Sequence, residues 1–416
     1  MALKSFRALS GFGLRSASLG SRFVFTVFAA LWMTPTDFGI YGLVASASAI
    51  IVQLVGLEAY QVTLRGISKS GVTAQTLADR ACYGRFIGLA AIAAGLSGLI
   101  FALWFHWSPW LVGLTAAICI AEYIGTEATR ILVSEQRPDS AMFSISLRYL
   151  PWNLGLPLLG FFDIIPRHWS AEMILLCWFA CSAGGCLFLL EVSHRYTARL
   201  QGAFSDWAVA LLRQVPRWVV IGIAWRFLET GVRIVPGVMI DERATGHFIF
   251  FATLASIGST GLKAAIEPFW FVRMIRGESG RQARREYAFI TCMWLLPASL
   301  LSAAIVYGSM RFGGRIVTPA DVVMFALLIA SCGCLALSQI PHFALYAQEA
   351  DQAIERVSAL AMLVGLIACP LGTYAFGLVG TAMGALTGSV VLLVGKTLAA
   401  MALREPGQRG AGTYVV

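Results

Sequence analysis

Charge is scarce in this sequence. Asp, Glu, Lys and Arg make up 13% of the 416 residues against 58% hydrophobic, and the mean hydropathy is +0.75. Soluble domains carry about 25% charged residues, so the scarcity excludes a soluble globular protein and places the chain in a bilayer. Long polar stretches are missing too. At about 20 apolar residues per span, the chain has room for about a dozen spans joined by short loops, and a large extramembrane catalytic module is excluded. Histidine is rare: His106, His168, His194, His247 and His342 show no metal-ligand spacing. The nine cysteines are an odd number lying almost wholly inside apolar runs, and neither Cys332 with Cys334 nor Cys177 with Cys181 has further ligands at zinc spacing. A disulfide framework or a metal site is therefore not expected. Nor is a cleaved leader, because Arg15 and Arg22 interrupt the apolar stretch that follows Lys4 and Arg7. The segment Val390 to Thr397 ends like a phosphate-binding loop, but it lacks the first glycine and a preceding strand. No cofactor is expected.

What is present is a series of apolar runs bounded by charge, proline or glycine. Spans are expected near Leu9 to Met33, Phe38 to Leu57, Phe86 to Phe105, Leu111 to Ile131, Met142 to Phe162 and Met173 to Leu190. Six more are expected near Trp218 to Ile240, His247 to Phe271, Tyr287 to Met310, Val322 to Tyr346, Val357 to Phe376 and Leu378 to Met401. If the N-terminus is cytoplasmic, twenty basic residues fall in cytoplasmic segments and four (Arg167, Arg243, Arg311 and Arg315) on the other face. That asymmetry puts both termini in the cytoplasm. The net charge of +9 is then a topology signal and a contact with anionic headgroups, not a nucleic-acid footprint.

Between spans six and seven, Leu200, Phe204, Trp207 and Leu211 form an apolar stripe at helical spacing, with Arg199, Ser205, Asp206 and Arg213 off it. An amphipathic helix in the cytoplasmic interface is expected there. The chain thus divides into a six-helix half over residues 1–193, a linker over 194–217 and a second half over 218–416. Two internal matches support this. Arg15, Gly20 and Arg22 recur as Arg226, Gly231 and Arg233 at an offset of 211 residues, and Gly39-Ile40-Tyr41 pairs with Gly246-His247-Phe248. Inverted or parallel repeats of this kind build many secondary transporters. The expected fold is an all-α polytopic membrane protein of about 12 transmembrane helices, in two pseudo-symmetric halves around a central cavity.

Seven basic residues fall inside the spans: Arg15, Arg22, Arg148, Arg226, Arg233, Lys263 and Lys396. Facing lipid they would cost about 2.5 to 3.5 kcal/mol each, so most of them should face water, a partner or the interface. Arg15, Ser18, Arg22 and Thr26 share one helical face, and Arg226, Glu229 and Arg233 another. The rise from Arg22 to Met33 is about 16 Å, which puts Arg22 near mid-bilayer. Deep acids are fewer: Glu122, Glu229 and, toward one end of span eight, Glu267. Glu122 has no basic partner on its own helix and is a candidate proton carrier, with an interhelical ion pair as the alternative. Glu127 should pair with Arg130, and Lys263 with Glu267. A surplus of cations in a cavity implies an anionic substrate such as a phosphate or pyrophosphate held by arginine forks.

The stretch ALWMTPTDFGIYGLVASASAII, with GLEAYQVTLRGIS after it, resembles the first hairpin of bacterial polysaccharide flippases of the Wzx type. The shared motif is Phe38, Gly39, Ile40 and Tyr41 after a short acidic turn. With twelve spans in two halves, the chain is similar to the multidrug/oligosaccharidyl-lipid/polysaccharide exporter superfamily. The resemblance implies a monomeric, non-enzymatic flippase in the bacterial inner membrane. It would move an undecaprenyl-pyrophosphate-linked oligosaccharide from the cytoplasmic to the periplasmic leaflet by ion-coupled alternating access, alongside a polysaccharide polymerase and a chain-length regulator. Arg15, Arg22, Arg226 and Arg233 are then the expected pyrophosphate-binding set, Arg148 and Lys263 further members, and Glu122 and Glu229 the ion-coupling candidates. A multidrug exporter would instead favour acidic residues for cationic drugs. A polymerase or ligase would carry a large outside loop with catalytic groups, and a membrane scaffold would have no use for so many buried cations.

Overall fold

The computed structural model describes residues 17–18, 20–60, 74–134, 137–193, 204–265, 281–313, 317–348 and 350–403. Arg15, Leu200 and Glu267 lie outside the described residues. The described chain is helical almost throughout, with a single β-bridge joining Met33 to Trp169. The first half contains α1 (Gly20–Trp32), α2 (Pro35–Gly56), α3 (Ala74–Trp104), α4 (Pro109–Ser134), α5 (Pro138–Phe161) and α6 (Ala171–Ser193). Proline opens α2, α4 and α5, where a missing N–H would have had no helical partner anyway. The Thr34 hydroxyl caps α2 by accepting from the Asp37 N–H at 3.1 Å. Asp37 Oδ1 in turn accepts from the Ala171 N–H at the start of α6, 3.1 Å away.

The second half is built from broken helices. α7 (Phe204–Glu229) ends in a 3-10 turn, Gly231–Ile234, and a short helical turn, Val235–Met239. α8 (Glu242–Ala255) and α9 (Ile257–Ala265) form one interrupted rod, as do α11 (Pro319–Leu337) and α12 (Gln339–Ala347); α10 (Arg281–Gly313) is continuous. The breaks have local causes. Pro236 follows the first, the Ser256 hydroxyl donates back to the Thr253 carbonyl at 2.7 Å at the second, and Pro341 follows the third. α13 (Asp351–Ala402) folds back at Gly377, whose φ of 59° and ψ of −137° suit only a residue without a Cβ. Its two arms pack through Gly380, Gly384 and Gly388, and a Cβ on Gly384 would sit 2.5 Å from the Cys369 Cα. Taking each interrupted rod as one and each arm of α13 as another, the described residues form six helical rods in each half, one for each apolar run of the sequence.

Lipid-facing and inward surfaces separate cleanly. Leu89, Ile92, Leu96, Ile100 and Leu103 form an exposed stripe along α3 at helical spacing. The linker stripe, read from the sequence as an interfacial helix tying the two halves together, packs in part against the first half. The stretch Phe204–Arg213 meets Val215–Glu229 at 59°, next to Pro216, and Trp207 and Leu211 pack onto Tyr83, Phe86, Ile131 and Leu132 of the first half. Val209 and Leu212 remain exposed beside it.

The two halves meet along α2 and α8. At the end where both helices begin, they cross at Gly39 and Gly246, the very glycines that the internal repeat equates. A Cβ on Gly39 would clash with the backbone carbonyl of Glu242, and one on Gly246 with that of Pro35. Phe38, Val44, Phe248 and Ile249 close the core around this crossing. Trp107 adds a bond across the halves by donating to Glu242 at 3.4 Å.

Candidate functional site

Below that crossing the halves part around a cavity of about 510 Å³. α1 contributes Ser18, Arg22 and Thr26, the polar face read from the sequence. α2 supplies Tyr41 and Ser46, and α5 supplies Tyr149. From the second half come Arg226, Glu229, Thr230 and Arg233, all at the place where the seventh span breaks. Such interrupted helices commonly build transporter binding sites at mid-membrane. The eighth span adds Thr253, Ser256, Thr260 and Lys263. Among the described residues the cavity therefore holds Arg22, Arg226, Arg233 and Lys263 against one carboxylate, Glu229.

The charges are unevenly satisfied. Glu229 accepts from Lys263 through Oε1 and from Arg226 through Oε2 at 3.3 Å. Among the described residues, neither Arg22 nor Arg233 has an ion-pair partner. Arg233 donates to the Thr253 hydroxyl at 3.3 Å, and its Nε has no hydrogen-bond partner in the protein. The Arg22 guanidinium lies 5.4 Å from the Tyr149 ring centroid. Arg22 comes from one half and Arg233 from the other, and both retain unused N–H groups facing the same space.

Arg148 departs from its expected place in the cavity, and Glu122 takes the alternative of an interhelical ion pair. Arg148 is only 2% exposed and does not line the cavity; it forms an ion pair with Glu122 at 2.5 Å inside the first half. Glu122 is saturated, accepting also from Tyr149 at 2.5 Å, Trp178 at 2.8 Å and Ser182 at 2.7 Å. Helical spacing searched for partners on one helix, whereas these donors come from α5 and α6. Gly125 and Gly185 make room for the arginine: a Cβ on Gly125 would stand 2.5 Å from the Arg148 Cζ. The pair reaches the cavity only through Tyr149, whose hydroxyl it holds and whose ring faces Arg22. Glu127 does pair with Arg130, at 2.5 Å, and takes a further bond from Tyr83. Lys263 is paired with Glu229.

Thr253, Ser256 and Thr260, in one row with Lys263, were not singled out from the sequence, although the row's offsets of three, seven and ten lie on one helical face. Tyr41 and Tyr149 were missed because a tyrosine in an apolar run carries no signal of which way it points. Among the described residues, no group of three or more His, Cys, Asp or Glu side chains could hold a metal ion.

No protein-family model matches the chain, and no curated protein matches it in sequence. Its fold does match solved structures. The lipid II flippase MurJ in an inward closed conformation aligns with a TM-score of 0.69 at 11% identity, over 95% of this chain and 87% of that one. An outward-facing multidrug resistance MATE family transporter of the MOP superfamily aligns with a TM-score of 0.57 at 10% identity, over 95% and 97%. The Vibrio cholerae MATE transporter VcmN in its bent form gives 0.51 at 15% identity, over 93% and 98%. At such identities the likeness is one of fold alone: an all-helical, polytopic, two-half membrane protein with the same architecture as these structures.

Proposed function

We propose that the chain is a flippase for an undecaprenyl-pyrophosphate-linked oligosaccharide, moving it from the cytoplasmic to the periplasmic leaflet of the bacterial inner membrane. The observation that carries this is the charge of the central cavity, among the described residues four cations against one carboxylate, with no ion-pair partner for Arg22 or Arg233. Cations held there with unspent N–H groups suit a pyrophosphate, whose oxygens accept paired N–H bonds from guanidinium forks. A cavity for cationic drugs would need the opposite sign, which disfavours the multidrug reading despite the shared fold. The likeness to a lipid II flippase supports a lipid-linked substrate.

The geometry suggests how binding and coupling connect. A phosphate entering between Arg22 and Arg233 competes with the Glu229 carboxylate for Arg226 and Lys263. Once released, that carboxylate can take a proton, which makes Glu229 the coupling candidate and leaves Glu122 as a positioning residue behind Tyr149. With both termini cytoplasmic, the crossing of Gly39 and Gly246 closes the periplasmic end, and the cavity loads from the cytoplasmic side. A polymerase and a chain-length regulator would receive the product.

The test is flipping of a fluorescent undecaprenyl-pyrophosphate oligosaccharide in proteoliposomes under an imposed proton gradient. Wild type should transport, whereas Arg22→Ala and Arg233→Ala should not. Transport unaffected by either substitution would overturn the assignment of the cavity.

A further inference from the structure

A second cavity, of about 380 Å³, opens beside the first and shares Arg226, Glu229 and Lys263 with it. It lies between the end of α2 and the rods α7, α12 and α13. Its remaining polar walls are Gln53 and Glu58 from α2 and the turn after it, Gln339 and His342 from α12, and Ser358 and Lys396 from α13. Two of these are buried ionisable side chains with bonding capacity left over among the described residues. Lys396 is 2% exposed, and among the described residues no carboxylate pairs with it; its ammonium meets only the Trp225 ring, 5.5 Å from the centroid. Glu58 is 7% exposed, and its Oε2 has no hydrogen-bond partner in the protein. The His342 Nδ1 is likewise unpartnered.

Proteins rarely bury a charge or a polar atom without a partner, because the lost hydration is not replaced. Here a cation, a carboxylate oxygen and an imidazole nitrogen line one space of ligand-pocket size; such pockets measure about 300–1,000 Å³. The group that satisfies all three brings an anion for Lys396 and hydroxyl donors for Glu58 and His342. We propose that this cavity is the subsite for the glycan end of the substrate and takes a hydroxyl-rich ring bearing a carboxylate, an acidic sugar of the uronate class. The assignment rests on the reading of the central cavity as the pyrophosphate site, since the shared Arg226, Glu229 and Lys263 would then set the junction between phosphate and sugar.

Gly222 keeps the subsite open. A Cβ there would lie 2.9 Å from the Glu58 Oε1 and would collide with the Gln53 amide. Gly222→Ala thus disturbs the acceptor side without changing any charge, whereas Lys396→Met removes the cation. Lys396→Met also relieves a buried unpaired charge, so the variant should fold at least as well as wild type.

The experiment measures binding of glucuronate, glucose and inorganic pyrophosphate to the purified full chain in nanodiscs by saturation-transfer NMR and calorimetry. Wild type should prefer glucuronate to glucose. Lys396→Met should lose that preference, about tenfold for a charge-assisted bond, while keeping pyrophosphate binding. Gly222→Ala should weaken both sugars together. Arg22→Ala should lose pyrophosphate and keep glucuronate. If pyrophosphate fails to bind wild type but the Lys396-dependent preference holds, the central-cavity reading falls and the acidic-sugar subsite stands. If wild type shows no preference for glucuronate, or Lys396→Met retains it, the subsite is overturned.

Discussion

Gly246→Ala is the sharpest probe of how the halves move. The added methyl would collide with the Pro35 carbonyl oxygen and lie 2.9 Å from the Gly39 nitrogen. Both obstacles are backbone, so no rotamer change removes them, and carbon contacts are comfortable only near about 3.5–4.0 Å. The helices must therefore separate by about an ångström at this end. Overpacking of this kind costs typically about 1–3 kcal/mol, and only conformations in which α2 and α8 touch bear it. If alternating access opens this end, the open state escapes the penalty and the open-to-closed ratio rises by about five- to 150-fold. Spin labels on cysteines at Thr36 and Arg243, two exposed positions on the first turns of α2 and α8, would read the change in a background lacking the nine native cysteines. Pulsed electron resonance should then show a population shift toward longer distances, together with slower flipping. Gly39→Ala should act the same way, and the double variant should add little, since one separation relieves both clashes. An unchanged distance distribution with wild-type flipping would refute both the close crossing and its role as a gate.

Other outcomes follow from the same geometry. Glu122→Gln should destabilise the protein by about 3–5 kcal/mol, because it leaves Arg148 buried without a counter-charge. A Glu122→Leu, Arg148→Met double variant should recover much of that loss in thermal unfolding. Arg22→Lys should retain part of the flipping that Arg22→Ala abolishes, falling about tenfold, since lysine keeps the charge but not the fork. Gly384→Ala should lower stability by about 1–3 kcal/mol through its clash with the Cys369 backbone, again measured by thermal unfolding, with the dominant effect on the α13 hairpin.

Much of the site could be read along the chain because a helix places residues three, four and seven apart on one face. Ser18, Arg22 and Thr26 were found that way, and they do line the cavity. Arg226, Glu229 and Arg233 also reach it, although the helix breaks after Glu229, so that the α-helix presents the first two and the 3-10 turn beyond it presents Arg233. Arg148 shows the limit of the method. A basic residue in a span must find water or a counter-charge, and hydropathy cannot distinguish the two. For Arg148 the counter-charge lay 26 residues away in sequence, on α4. Lys396 is the reverse case: it had a bland reading as a snorkelling or packing residue, and the fold leaves it buried at the wall of a cavity, with no carboxylate among the described residues paired to it.

The sequence by itself determined the solvent, the number of crossings and the division into halves, because these follow from sums over apolar runs and from the placement of charge at their ends. It also determined that cations would outnumber acids inside the bilayer. Only the tertiary structure decided which cations were free. Ion pairing between helices depends on distances of a few ångströms among elements far apart in the chain, and nothing in spacing along one helix encodes them. The crossing of Gly39 with Gly246 is the place where the two descriptions meet. The repeat marked these glycines as equivalent, and packing explains why each lacks a side chain: each faces the other helix's backbone where the halves close.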